Sequence, residues 1–429
     1  MIRTWLLLGL TLGLGMGQAQ SWVQELLKHP SLQSASLQVR AAQAQLNALG
    51  SPVTLVGQGG YQSTDYLDPP SSLPPASAAA WPKDKSGWDA SITAAFQLFP
   101  YGDTADQISR AKIGVQQAQL GFRVALARAE VQVMTAAYQL QLANQGRTLA
   151  RNAEQLALKS LEVARLRSSK GGISAAELRD SENAYQQAQE QLRTADENAR
   201  LAEMNLKSWV GSAQVQVPET LAFPASTLTA EQQNALFAFE QTRIQVEAIK
   251  RQFFPVMNAS YTYQADDSSV LNFSMNSSNL QPALTYNYQS NPDGAKVLNS
   301  QLKLGLKFTL TPSIGEALGA ADAQMAAAEA TIKNAAVSRE IQEAGLKLRH
   351  EQAIRALALK TQAVTNATLS LSEAQKREEL GLSSPLQTLK AILDLSQAQL
   401  AEQQARMDVL SRVLDAYQFY ALPPIEVNP

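Results

Sequence analysis

Gly171-Gly172-Ile173-Ser174, with Ala188-Gln189 downstream, returns about 210 residues later as Gly381-Leu382-Ser383-Ser384 with Ala398-Gln399. Upstream of the two copies, Phe96-Gln97-Leu98-Phe99-Pro100 returns as Phe308-Thr309-Leu310-Thr311-Pro312. A turn and a strand end that recur at one spacing mark an internal duplication, so each half has the same plan. Each Gly-x-x-Ser turn breaks a long Ala-, Gln- and Leu-rich stretch, and two alternating segments precede that stretch. The repeat is therefore part sheet and part rod, and neither part buries itself alone.

Outward from the first turn, Asp103 to about Ser168 contains no proline, which predicts a helix on the order of 100 Å long. Ile108, Val115, Phe122, Ala129, Ala136, Ala143, Ala150, Ala157 and Ala164 fall seven apart, the seam of a coiled coil. Alanines on a seam imply close approach of neighbouring helices. A return helix over Ala175 to about Val210 completes a hairpin spanning 103–210. In the second half, Glu316 to about Leu380 carries Leu357, Val364 and Leu371 at the same spacing. Its return runs from Pro385 to Ala421, a hairpin spanning 316–421 that stops at Pro423-Pro424. Cations at Arg167, Lys170, Lys376 and Arg377 suit helix C-termini, Gly171 and Gly381 suit left-handed caps, and Ser174 and Ser383 suit the next N-caps.

Further out, Ser21 to Lys28 reads as a short helix stopped at His29-Pro30, and a second runs to about Leu49. Thr229-Ala230-Glu231-Gln232 reads as a capping box that opens the first helix of the second half. The segment 211–228 between the halves is irregular, with a candidate strand at Val215 to Val217, and forms a belt outside the rods. The division is thus 20–228 for the first repeat and 229–429 for the second.

Four alternating segments are expected as strands, near 53–62, 88–99, 256–265 and 300–311. The last is the sharpest: Leu302, Leu304, Leu306, Phe308 and Leu310 alternate with Gln301, Lys303, Gly305, Lys307 and Thr309. On the second, Trp88, Ala90, Ile92, Ala94, Phe96 and Leu98 alternate with Asp89, Ser91, Thr93 and Gln97. On the third, Met257, Ala259, Tyr261 and Tyr263 alternate with Asn258, Ser260, Thr262 and Gln264. The Pro- and Ser-dense segment 63–86 is a long loop. About ten residues is the length with which a tilted strand crosses a bilayer. Aromatics at Trp88, Phe99, Tyr101, Phe253, Phe254 and Tyr263 gather near strand ends, as at a membrane interface. Four strands do not close a barrel, whose minimum is about eight, so several copies must share one. On that reading Asp89, Lys303 and Lys307 face the lumen.

Met1-Ile2-Arg3-Thr4, an apolar run from Trp5 and Gly17-Gln18-Ala19 read as a signal peptide, 1–19. The chain has no cysteine, so thiol lipidation of the exported protein is not expected. Lys+Arg 36 against Asp+Glu 38 gives a net charge of -2, which argues against a nucleic-acid partner. His29 and His350 are the only histidines; both read as structural, and with no thiol or His/carboxylate cluster no metal, cofactor or catalytic site is expected. Gly57, Gly59 and Gly60 lie within a strand and are no phosphate loop.

In this order the residues resemble the TolC family of outer-membrane efflux proteins over essentially the whole mature chain. The shared features are a short helix ending in x-Pro, a strand pair ending near Leu98-Phe99-Pro100-Tyr101-Gly102, a long helix, the Gly-x-Ile-Ser turn, a return helix and then the repeat. The second half lacks the x-Pro element. The resemblance implies mixed α and transmembrane β structure: a homotrimer with a twelve-strand β-barrel, four strands per chain, continuous with a periplasmic coiled-coil barrel. It implies an outer-membrane exit duct, not an enzyme, which serves a tripartite efflux or type I secretion system with a periplasmic adaptor and an inner-membrane transporter. Carried over residue by residue, it places Gly171, Ile173, Ser174, Gly381, Leu382 and Ser383 in the turns that adaptors grip. Glu177, with Asp180 one turn on, matches an acidic residue on the first return helix. Gln387 and Lys390 stand where the second often carries gate aspartates, a departure that leaves Glu177 and Asp180 to supply charge or to pair with Lys390. An envelope-spanning coiled-coil anchor and a surface adhesin are the rival readings, and the polar strand faces discriminate, since an anchor needs no wet lumen.

Overall fold

The computed structural model describes residues 20–51, 53–65, 85–97, 101–218, 220–290, 299–308 and 312–425. The signal peptide, most of the first long loop, and Leu98, Phe99 and Leu310 lie outside the described residues. The elements are α1 (Gln20–Leu27), α2 (Pro30–Leu49), β1 (Val53–Thr64), β2 (Lys85–Phe96), α3 (Gly102–Ser169), α4 (Ala175–Val210), α5 (Ala230–Arg251), β3 (Val256–Gln264), β4 (Ser269–Asn276), β5 (Ala283–Gln289), β6 (Ser300–Lys307), α6 (Ile314–Glu379) and α7 (Pro385–Phe419). Among the described residues no helix is long and apolar enough to cross a membrane.

The chain divides into two compact units, residues 1–38, 119–233 and 334–429 in one and residues 39–118 and 234–333 in the other. Both units draw on both sequence repeats. The helical unit packs around Trp22, Leu26, Leu32, Leu126, Met134 and Leu206. The expected seam on α3 holds: Val115, Ala129, Ala136 and Ala164 are buried and the other five positions half-buried. Gly211 takes φ +67° and its N–H closes on the Lys207 carbonyl at 2.8 Å, ending α4. The capping box opening α5 is present, with Gln232 N–H on Thr229 Oγ1 and Thr229 N–H on Gln232 Oε1, both at 3.2 Å. Val215 to Val217 is not a strand; both valines lie partly buried against the helical core instead.

The other unit holds a six-stranded antiparallel sheet in the order β1-β2-β5-β4-β3-β6. Among the described residues the four expected strands are present and two more stand between them. β4 and β5 form a hairpin between β2 and β3, over residues to which the sequence reading assigns no element. At the foot of β3, Asp106 is paired with Arg251, yet burial outweighs that attraction and pushes the Asp106 carboxyl up.

Candidate functional site

Two regions carry the expected functional residues, and the first is the pair of helix turns. Gly171 takes φ +72°, which brings its N–H to the Ser168 carbonyl at 2.9 Å and the Gly172 N–H to the Arg167 carbonyl at 2.8 Å. The second turn repeats this bond for bond. Gly381 takes φ +72°, its N–H meets the Glu378 carbonyl at 2.9 Å, and the Leu382 N–H meets the Arg377 carbonyl at 2.7 Å. Nothing lies within 4 Å of a Cβ added at either glycine, so backbone conformation alone demands glycine there.

The turns differ in how the next helix starts. Ser174 caps α4: its Oγ accepts the Glu177 N–H at 3.2 Å, while Glu177 Oε2 accepts the Ser174 N–H at 2.7 Å. The cap of α7 is Ser384 and not Ser383; it makes no side-chain cap bond, and Pro385 presets the helix in its place. Ser383 is half-buried and donates to the Ala374 carbonyl at 3.5 Å. Ile173 is half-buried and Leu382 exposed.

Among the gate candidates, Glu177 is committed to this cap, and the bond its carboxylate accepts from the Ser174 backbone, then the one from the Ser174 hydroxyl, hold its carboxyl below the usual range. Asp180, Gln387 and Lys390 are exposed. Of the two alternatives for Glu177 and Asp180, supplying charge or pairing with Lys390, the second is not seen: no ion pair to Lys390 occurs among the described residues.

The sheet is the second region, and its pairing gathers most large apolar side chains on one face and most polar ones on the other. Leu55, Ala94, Leu284, Phe273, Tyr261 and Leu302 mark one row across all six strands. The opposite face carries Gln58, Ser91, Asn287, Asn272, Thr262 and Gln301, and Asp89, Lys303 and Lys307 are among its charges. Burial is inverted relative to a water-soluble sheet: Leu304 is 76% exposed and Trp88 66%, while on β4 Asn272, Ser274 and Asn276 are half-buried. Thr93 and Thr285 hydroxyls meet at 3.0 Å on the polar face. Tyr61 and Trp88 stack obliquely at 5.2 Å toward one end, and exposed Tyr101 and Phe254 flank the strands at the other.

The histidines make ring contacts, His29 on Trp209 at 4.6 Å and His350 on Phe223 at 5.3 Å. Among the described residues no cluster of metal-binding side chains occurs.

Residues 22–212 match the family model described as outer membrane efflux protein. Over those residues the chain is similar to outer membrane efflux proteins. The resemblance read from the sequence therefore holds, and the family is one of transport channels and not of enzymes. No curated protein matches the chain. Among solved structures, the outer membrane protein VceC of Vibrio cholerae is 18% identical with a TM-score of 0.63, over 94% of this chain and 95% of that one. The MtrE outer membrane channel of Neisseria gonorrhoeae, described in an open state, is 15% identical with a TM-score of 0.66, over 95% and 89%. The CmeC outer membrane channel of Campylobacter jejuni is 14% identical with a TM-score of 0.60, over 93% and 84%. These likenesses show the fold alone, over 93% to 95% of the chain.

Part of the sheet is not legible in the sequence. Asn272, Ser274, Thr285 and Asn287 share the polar face, and Leu271-Asn272-Phe273-Ser274-Met275 did alternate. Gly102, which the sequence marks only as the end of a strand pair, takes φ +56°, and a Cβ there would collide with the Ser278 carbonyl.

Proposed function

We propose that the chain forms the outer-membrane exit duct of a tripartite efflux or type I secretion system, passively conducting cargo from a periplasmic adaptor and inner-membrane pump to the exterior. The observation that carries this is the inverted sheet. An exposed apolar face suits lipid and a polar face suits a wet lumen, and together they favour a duct over a purely structural coiled coil. The unpaired edges β1 and β6 call for neighbouring copies. So do exposed apolar side chains along α6, Ile341, Leu348 and Leu369, and along α4, Leu201 and Met204.

Three copies make the duct, exported through a signal peptide at 1–19, without lipidation, and seated in the outer membrane with the helical hairpins in the periplasm. The repeats 20–228 and 229–429 each supply one hairpin, and Gly171, Ile173, Ser174, Gly381, Leu382 and Ser383 form the adaptor-docking tips. Glu177, Asp180, Gln387 and Lys390 line the mouth. Because no cargo-transforming chemistry is required, the pump supplies the energy and the duct a lipid-free path.

Planar-bilayer recording of the purified protein, with native mass spectrometry, tests this. A trimer with stable ohmic steps is expected. A protein that inserts but never conducts would leave the anchor reading standing.

A further inference from the structure

We propose that the barrel has eighteen strands, six per chain, because the β4–β5 hairpin is a true part of its wall. The count rests on the three-copy duct proposed above; the six per chain rests on the sheet.

The hairpin is built into the sheet at every level. β4 pairs with β3 from Asn258↔Asn276 to Gln264↔Val270, and β5 pairs with β2 from Asp89↔Gln289 to Ala95↔Ala283. Its two strands have 8 and 7 residues, comparable to 9 and 8 in β3 and β6. Its lower turn is stitched to both neighbours: Phe96 N–H donates to the Pro282 carbonyl at 2.9 Å and Ser277 N–H to the Met257 carbonyl at 2.8 Å. Gln281 Nε2 also donates to Thr104 Oγ1 at 3.3 Å, and Gly102 is bare where this turn crosses it. At the upper end Trp88 N–H donates to Ser290 Oγ at 2.7 Å and Ser290 N–H to the Trp88 carbonyl at 2.9 Å.

The chemistry of its faces matches as well. Leu271, Phe273, Leu284, Tyr286 and Tyr288 continue the apolar face, whereas Asn272, Thr285 and Asn287 continue the polar one. A hairpin lying in water over a four-stranded wall has no reason to hold a row of exposed leucine, phenylalanine and tyrosine in register with the lipid-facing row.

Closure is geometrically consistent. Strand direction alternates along β1-β2-β5-β4-β3-β6, so the two edges run oppositely, and β6 of one copy meets β1 of the next antiparallel. At equal tilt the backbone radius is roughly 18 Å for eighteen strands against roughly 12 Å for twelve. The added wall is polar and uncharged, so the pore is wider and its charge more dilute than four strands per chain give.

The chain has no cysteine, so Thr262→Cys carries a single nitroxide per copy on the lumen face. Pulsed dipolar spectroscopy of the full-length protein in lipid reports both how many copies interact and their separation. Three interacting spins with backbone separations of roughly 30 Å are expected, about 1.5-fold longer than the roughly 20 Å of a twelve-strand wall. In parallel, labels at Phe273→Cys and Tyr286→Cys should collide with oxygen in the bilayer as a label at Leu304→Cys does, and labels at Asn272→Cys and Thr285→Cys with a water-soluble relaxation agent. One or two interacting spins overturn the trimeric reading. Three spins near the shorter distance, or water-accessible labels at Phe273 and Tyr286, overturn the eighteen-strand wall and leave the trimer intact.

Discussion

Ser174 and Glu177 cap one another: each side chain accepts the other's backbone N–H, at 3.2 and 2.7 Å, so the first acidic residue of the return helix is spent on starting that helix. A charge at the duct mouth and a structural cap are thus the same group, and the two roles separate by substitution. Glu177→Gln keeps a capping acceptor and removes the charge; Glu177→Ala removes both. Hydrogen exchange over residues 175–181 should quicken in Glu177→Ala and in Ser174→Ala, by an opening cost of about 1 kcal/mol, and stay near wild type in Glu177→Gln. Fast exchange in Glu177→Gln would mean that charge and not the hydrogen bond holds the turn.

Left-handed glycines at Gly102 and Gly171 should respond differently to one methyl group. Gly171→Ala meets open space and carries only the conformational cost, about 1–2 kcal/mol. Gly102→Ala adds a collision with the Ser278 backbone, roughly 2–5 kcal/mol together. Yield of heat-resistant oligomer on a gel should fall sharply for Gly102→Ala and little for Gly171→Ala.

Acid should weaken the helical unit through Glu343. Lys347 Nζ lies 2.7 Å from its Oε1, and Ser226 Oγ donates to Oε2 at 3.0 Å; with the Lys347 bond foremost, its carboxyl is held down to about 2 from an ordinary 4.5. A depressed folded pKa means that the stabilisation is complete above about 4.5 and is lost as pH falls from there toward 2. The thermal midpoint of Glu343→Gln should start lower at neutral pH and decline less than wild type over that window. Parallel curves would remove Glu343 from the acid response.

The polar face bears more cationic than anionic side chains, with Lys303 and Lys307 against Asp89. A modest anion preference is expected, since screening over about 8 Å confines the field to the wall. Reversal potentials under a salt gradient should change sign in Lys303→Glu/Lys307→Glu. Leu304→Lys should impair insertion by about 2–4 kcal/mol, as a lysine on the lipid face. Normal insertion of Leu304→Lys would mean that the faces are inverted.

The rods were legible because alanine at seven-residue spacing and the absence of proline have one reading, and the structure buries or half-buries every position of the seam from Ile108 to Ala164. The turn glycines were legible for the same reason. β4 and β5 were not, because Asn272, Asn276 and Asn287 have poor strand propensity and the runs are short. Their strand state comes from pairing with β3 and β2, a tertiary fact. The Ser384 cap was missed by one position because two serines adjoin, and Pro385 after the second was the signal that chooses between them. Gly102 reads from sequence as the end of a strand pair; only the turn that crosses it explains the missing side chain.

The opposed edges of the sheet also dictate how such a wall comes into being. A lone chain entering lipid exposes the unpaired N–H and C=O groups of β1 and β6, each costing several kcal/mol where water is absent, and adding a second copy leaves the same number of raw edges as one. Only the final copy removes them. Assembly is therefore steeply cooperative in copy number: partial rings are driven apart or onward and do not accumulate, yield depends on local chain concentration, and a mixed ring fails as a whole when a single subunit carries a damaged edge.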